Sequence, residues 1–507
     1  METKQNRSAA VLLPLTSLYG PFGIGVLGRE AVEFLDFLAG CGFHGWQILP
    51  AEHADESWSP YKSVSAFAGN PLLIDPRGLL ELGLVTQDEL DERAYGLDPY
   101  SVDYAEVSGR QYALLRKACA RYGAEEVNVP SAPWLDDYAL YMALRGEYGP
   151  WYTWADEKLR QYDPAAVSAA RERFGAEIGF WRFVQWLFDS QWSRLKAQAA
   201  ERGISIIGDM PMYVSEDSAD AWSRRELFLT DADGELSAVA GVPPDYYAAD
   251  GQRWGNPLYD WDAMKNDGYS WWIERMKCAM SRYDLVRIDH FRAFESFFAI
   301  PADSPTARKG KWIKGPGIAP FRAMEKVLGR LPVFAEDLGL VDKAVYRLRD
   351  EAGFMGMRVL QFGFLGDGGH LPHQYTENIV AYTGTHDNTT LLAWIFEMSA
   401  EEREKALFYS AFTGDWTQGG PNSPLFETWF RLMLQSRSPL VVTPIQDLLC
   451  YGADTRMNIP GTPEGNWRFR LAPDALENVG VSRLSRMIKI YGRDFPLRLS
   501  AVELMEL

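Results

Sequence analysis

Short runs of Val, Ile, Leu and Ala, bounded by Gly, Pro and Asp, recur along the chain with helical periodicities between them. Eight of these runs are predicted strands: Val11–Thr16, Gly45–Leu49, Ile204–Gly208, Leu285–Ile288, Val333–Ala335, Arg358–Phe362, Ile379–Tyr382 and Leu440–Pro444. They are continuously apolar and do not alternate, as expected of parallel strands buried on both faces. Strands that alternate with helices build βα units. Eight units predict an α/β fold, a (β/α)8 TIM barrel, over an open doubly wound sheet. The glycines of Gly23-Ile-Gly25-Val-Leu-Gly28 follow a loop and not the first strand, so a nucleotide-binding reading of them is weak.

The gaps between strands locate insertions. After strand two, Thr86-x-x-Glu89 and Ser108-x-x-Gln111 have the form of capping boxes. Tyr112, Leu115 and Cys119 share a helical face, and Phe183, Trp186, Leu187 and Trp192 suggest another helix. Residues 55–200 are therefore expected to form a mostly helical subdomain, with 1–54 and 201–507 forming the catalytic barrel. Residues 215–268, after strand three, are rich in Gly, Pro, Asp and aromatics and are expected to form a long loop over the active site. An amphipathic stretch after Val481 is the expected last helix.

Composition narrows the function by exclusion. The chain has 507 residues, 47% hydrophobic and 24% charged, with a formal net charge of −18. Such an acidic balance argues against nucleic acid or an anionic membrane as partner. No apolar run is long enough to span a bilayer, and Ala9–Leu15 is too short and Pro-broken for a signal peptide. Cys41, Cys119, Cys278 and Cys450 lie scattered, with neither CxxC nor metal-ligand spacing. This suggests thiols in a reducing, cytoplasmic setting. The 18 Trp fit either a large core or platforms for stacking on sugars.

Candidate chemistry sits where the apolar runs stop. Leu285-Val-Arg-Ile-Asp-His-Phe291, Val333-Phe-Ala-Glu-Asp-Leu-Gly339 and Ile379-Val-Ala-Tyr-Thr-Gly-Thr-His-Asp387 each carry a strand into an acid. Asp209 follows the third strand in the same way. Residues at the C-terminal strand ends of such a barrel gather at one rim. Cleaving a glycosidic bond takes two carboxyl groups, one ionised and one protonated. Crowding raises one carboxyl, while a neighbouring cation holds another ionised. Arg287 shares a strand face with Asp289 and is placed to do the latter. Acids at strand ends also serve as helix N-caps, a role open to Asp337 and Asp387.

Arg287-Ile-Asp-His290, Ala335-Glu-Asp-Leu338 and Thr385-His-Asp-Asn388 resemble the catalytic motifs of the α-amylase superfamily. Further segments narrow the resemblance to the 4-α-glucanotransferases (amylomaltase, or disproportionating enzyme). These are Ser59-Pro-Tyr61 through Ala66–Pro71, Gly208–Pro211, Gly241–Tyr246, Gly251–Pro257 and Arg456–Gly461. The resemblance implies that Asp289 is the nucleophile, Glu336 the general acid and then base, and Asp387 a transition-state stabiliser. It also implies that Tyr61, Ser59, Asp209, Trp254, Arg287, His386 and Asn458 bind substrate. The implied reaction is retaining transfer of α-1,4-glucan segments from a maltooligosaccharide to the 4-OH of an acceptor glucan or glucose.

Transfer in place of hydrolysis requires that an acceptor sugar displace water, and Gly251–Pro257 is the expected lid. The chain departs from the family pattern at Pro14–Gly20 and Lys62, which bears on subsite affinity. Asp209 is followed by Met-Pro-Met-Tyr, without the Asn-His pair of α-amylases. That removes a usual calcium ligand, so neither a metal nor another cofactor is expected.

Overall fold

The computed structural model describes residues 7–123, 132–231, 235–244, 249–364, 369–462 and 464–497. Its strands, in chain order, begin with β1 (Ser8–Leu12), β2 (Gly45–Gln47), β3 (Ser205–Met210), β4 (Ala238–Val242), β5 (Gln252–Pro257) and β6 (Leu285–Ile288). They continue with β7 (Ser296–Pro301), β8 (Lys311–Lys314), β9 (Val333–Ala335), β10 (Gly356–Val359), β11 (Ile379–Tyr382) and β12 (Leu440–Pro444).

Eight strands form one parallel sheet in the order β10-β11-β12-β1-β2-β3-β6-β9. Its edges meet through a parallel bridge between Phe334 and Met355, where Ala335 N–H donates to Met355 O at 2.8 Å. The sheet is thus a closed (β/α)8 barrel. Three expected strands end early, among them Gly45–Leu49, which stops at Gln47. β1 stops at Leu12 because Pro14 has no N–H to continue the ladder, and Leu15–Ser17 turns into a 3-10 helix. Leu360–Phe362 does the same after β10.

Alternate strand residues form two apolar layers. Ala10, Leu12, Ile207, Leu285, Phe334, Met357, Val359, Val380 and Val442 fill the barrel interior. Val11, Trp46, Ile206, Val286, Ile288, Val333, Ala335, Ala381 and Val441 face the surrounding helices. Burial on both faces is why the strands lack a polar alternation. The period of two then carries the inward direction upward, from Ile207 to Asp209, from Leu285 through Arg287 to Asp289, and from Phe334 to Glu336.

Between β2 and β3 the chain is largely helical, with Tyr104–Tyr122, Pro133–Tyr148 and Gly175–Glu201 the longest helices. The capping box at Thr86 and Glu89 is formed. The one expected at Ser108 is not, because Asp103 caps that helix and leaves Ser108 inside it. The glycine run has a packing explanation. A Cβ at Gly25 would lie 1.9 Å from the Leu15 carbonyl oxygen, and one at Gly28 would strike Asp75. Val481–Ile490 is the last described helix.

The connection after β3 is more ordered than a loop. Its β4 and β5 join β7 and β8, from the connection after β6, in an antiparallel sheet of order β5-β4-β7-β8. Gly251–Pro257, expected as a lid loop, thus forms mostly the edge strand β5. The Asp245 and Tyr246 of the Gly241–Tyr246 motif lie outside the described residues.

Candidate active site

Hydrogen bonds, ion-pair contacts and ring contacts bring the residues at the upper rim together. Arg287 is buried, and its Nη1 lies 2.8 Å from both oxygens of Asp209 and 2.9 Å from Asp289 Oδ1. One cationic nitrogen therefore serves two carboxylates. Their side-chain exposures differ, at 0% for Asp209 and 28% for Asp289. Asp209 is fully enclosed, while the Asp289 carboxylate stays partly accessible. The Asp209 carboxyl is pushed up by burial and drawn back by Arg287, and Arg287 itself is held well above its ordinary value by the two acids.

The network continues through Tyr61. Its hydroxyl donates to Asp209 Oδ2 at 2.8 Å and lies 2.9 Å from His386 Nε2. The Tyr61 and His386 rings stack with centroids 5.2 Å apart. His386 Nε2 stands 3.5 Å from Asp387 Oδ2, and Asn458 Nδ2 donates to Asp387 Oδ1 at 2.6 Å. Ser59 lies beneath this group, and its Oγ accepts from Tyr61 N–H at 3.3 Å. It braces the turn that presents Tyr61.

Glu336 is held by backbone. His290 N–H donates to its Oε2 and Leu338 N–H to its Oε1, each at 2.8 Å. His290 has φ of 49°, in the left-handed region, so the chain turns at the residue whose N–H meets the acid. Burial pushes the Glu336 carboxyl up to about 7, opposed by Arg287 and reinforced by Asp289. Trp254 reaches the same place, its ring edge-on to His290 at 4.9 Å.

The helix-cap alternatives are settled by partners. Asp337 accepts from Arg349 Nη1 at 2.6 Å and from Met357 N–H at 2.7 Å, so it is a buried structural acid. The helix after Asp387 is capped by Thr390, whose side chain accepts from Ala393 N–H. Eight of the ten residues expected at the site are thus linked by contacts, and Glu336 and Trp254 meet at His290, the chain neighbour of Asp289. Sequence reasoning did not single out Trp467 or Arg456. The Trp467 ring lies 5.9 Å from both Tyr61 and His386, and Arg456 Nη2 donates to the Asp387 carbonyl at 2.7 Å. Arg456 opened a motif segment already quoted, whereas Trp467 had no local signal.

Chemically, the rim offers a half-buried carboxylate against a cation, a buried carboxyl raised toward neutrality, and a third acid flanked by amide and imidazole. Residues 13–476 match the family model described as 4-alpha-glucanotransferase. A 4-alpha-glucanotransferase of Thermus thermophilus is 44% identical over 95% of this chain and 98% of its own length. The chloroplastic/amyloplastic enzyme DPE1 of Arabidopsis thaliana is 38% identical over 97% of this chain and 87% of its own. The solved amylomaltase from Streptococcus agalactiae, in complex with acarbose, superposes with a TM-score of 0.89 at 37% identity, covering 96% of this chain and 99% of that one.

Proposed function

The chain belongs to the 4-α-glucanotransferase family, and from that premise we propose which side chains carry its chemistry. The enzyme transfers α-1,4-glucan segments from a donor maltooligosaccharide to an acceptor by retaining double displacement. Asp289 attacks the anomeric carbon and forms the glycosyl-enzyme ester as the C–O bond to the leaving sugar breaks. Glu336 gives its proton to the leaving oxygen. In the second half the Glu336 carboxylate takes a proton from the acceptor 4-OH, that oxygen displaces Asp289, and both acids are regenerated.

The observation that carries this division is the contrast between the two acids. Asp289 Oδ1 lies against the Arg287 guanidinium, while Glu336 is pushed up to about 7 beside it. A carboxyl near neutrality can donate in one step and accept in the next. Asp387, with Asn458 and His386, holds sugar hydroxyls at the cleaved bond. Tyr61 and Trp254 provide ring surface, and Ser59 and Asp209 keep Tyr61 and Arg287 in place.

Glucose serves as the smallest acceptor, and the protein works in the cytoplasm on maltooligosaccharides and longer α-1,4-glucans without a cofactor. Among the described residues, no helix is long and apolar enough to cross a membrane. Among the described residues, those of 1–54 and 201–507 make up the catalytic barrel, those of 55–200 a helical subdomain, and those of 215–268 a cover over the site.

Purified protein given maltotriose is expected to release glucose and build a ladder of longer maltooligosaccharides. Sugars released without longer products would make it a hydrolase. Asp289→Asn is expected to lose at least about 10³-fold in kcat/KM, because an amide cannot act as the anionic nucleophile. Full activity in that variant would remove the assignment.

A further inference from the structure

The segment that carries His386 and Asp387 spans the end of β11 and the helix Leu391–Glu397, and both of its ends meet one buried acid. Asp447 lies in the turn Ile445–Leu448 that follows β12, and it is 1% exposed. Its Oδ2 accepts from Thr383 Oγ1 at 2.7 Å, at the start of the segment. Its Oδ1 accepts from Leu391 N–H at 2.6 Å, at the far end. Between these points the segment is pinned twice more. Gln361 Nε2 donates to Thr389 O at 2.8 Å, and Asn388 Oδ1 accepts from Thr385 N–H at 2.9 Å.

The same turn reaches the other flank of Asp387. Gln446 Nε2 donates to Thr455 O at 3.1 Å. The next residue, Arg456, holds the Asp387 carbonyl, and Asn458 holds its carboxylate. Adjacent residues of one turn thus grip the segment bearing Asp387 and the segment that supplies its partners. A carboxylate suits the first task because two donors converge on it from opposite ends. An amide can accept at only one oxygen.

We propose that Asp447 is a positioning residue for glucan transfer, fixing the separation of Thr383 and Leu391 so that Asp387 meets the sugar hydroxyls in the transition state. This rests on the reading of Asp387 as the acid that holds those hydroxyls. Asp447 does not touch substrate. Its effect is expected in the rate of the chemical step and not in ground-state binding.

The test is a double-mutant cycle read with α-maltosyl fluoride, whose fluoride leaves without a proton from Glu336. Asp447→Asn is expected to lower kcat by about 10- to 100-fold, as small misplacements of a catalytic group do, with KM changed by less than about two-fold. In the Asp387→Asn background the same substitution is expected to lower kcat by less than about two-fold, because coupled residues are not additive. Equal losses in both backgrounds, or a folded Asp447→Asn enzyme with unchanged kcat, would overturn the proposal. If Asp447→Asn does not fold, Thr383→Val removes one of the two grips and is expected to show the same dependence on Asp387. Asp387→Asn alone tests the underlying reading, since full activity there would remove the role of Asp387 whatever Asp447 does.

Discussion

The backbone N–H of His290 donates to Glu336 Oε2 across 2.8 Å, so the residue that follows Asp289 holds the second rim acid. The two carboxyl groups therefore share a support: moving the turn after β6 moves both. His290 itself takes a left-handed backbone, uncommon for a non-glycine residue, so the chain turns sharply at the point where that N–H meets the acid.

Glu336 predicts a pH dependence of both activity and stability. Its folded value of about 7 exceeds the ordinary 4.5, chiefly through burial. Between those values the native state binds the extra proton, so this group's contribution to stability falls as pH rises toward and through 7. Glu336→Gln loses one of the two acceptor oxygens, but its melting temperature relative to the parent is expected to be higher at pH 8 than at pH 5. The parent's transfer from maltotriose is expected to decline above about pH 7. Thermal unfolding at the two pH values is the check, and an unchanged gap would show that burial does not raise the acid.

Arg287 is the most heavily committed charge of the site. Arg287→Ala leaves Asp209 fully enclosed with its cation gone and Asp289 without its neighbour. Breaking a buried pair from one side costs about 3–5 kcal/mol. Denaturant unfolding is expected to show that loss, and Asp209→Ala in the same chain to restore part of it. A loss below about 1 kcal/mol, in the range of an exposed pair, would mean water replaces the guanidinium.

Tyr61→Phe separates ring from hydroxyl. Stacking on His386 survives, but Asp209 Oδ2 and His386 Nε2 each lose a partner. An unpaired buried polar group costs about 1–3 kcal/mol. The variant is expected to bind maltooligosaccharides nearly as well as the parent and to lose about 10-fold in kcat, the kinetic equivalent of 1.4 kcal/mol. A rise in KM with kcat unchanged would instead assign the hydroxyl to ground-state binding.

The barrel was readable because each strand is buried on both faces, so Leu285–Ile288 and Ile379–Tyr382 stand out as unbroken apolar runs. The same property marked the rim, since the first ionisable side chain after such a run is where the apolar environment ends. Local pattern could not show that Asp337 faces Arg349 while Glu336 faces the site, because adjacent strand residues point to opposite sides and the register decides which is which. The antiparallel sheet escaped notice for a different reason. Its β5 contains Gly255 and ends at Pro257, which read as loop, and its ladder forms only when β4 meets β7 from a separate connection. Asp447 and Trp467 act across the fold, and no spacing in the chain announces such partners.

That antiparallel sheet ties two separate connections of the barrel together. β4 and β5 come from one crossover of the barrel, and β7 and β8 from another. Deleting the first pair would strip β7 of a whole row of backbone partners and expose an edge ready to join another chain. Shortening either insertion alone would therefore leave the other with an unpaired strand edge, so the two connections are structurally bound to each other.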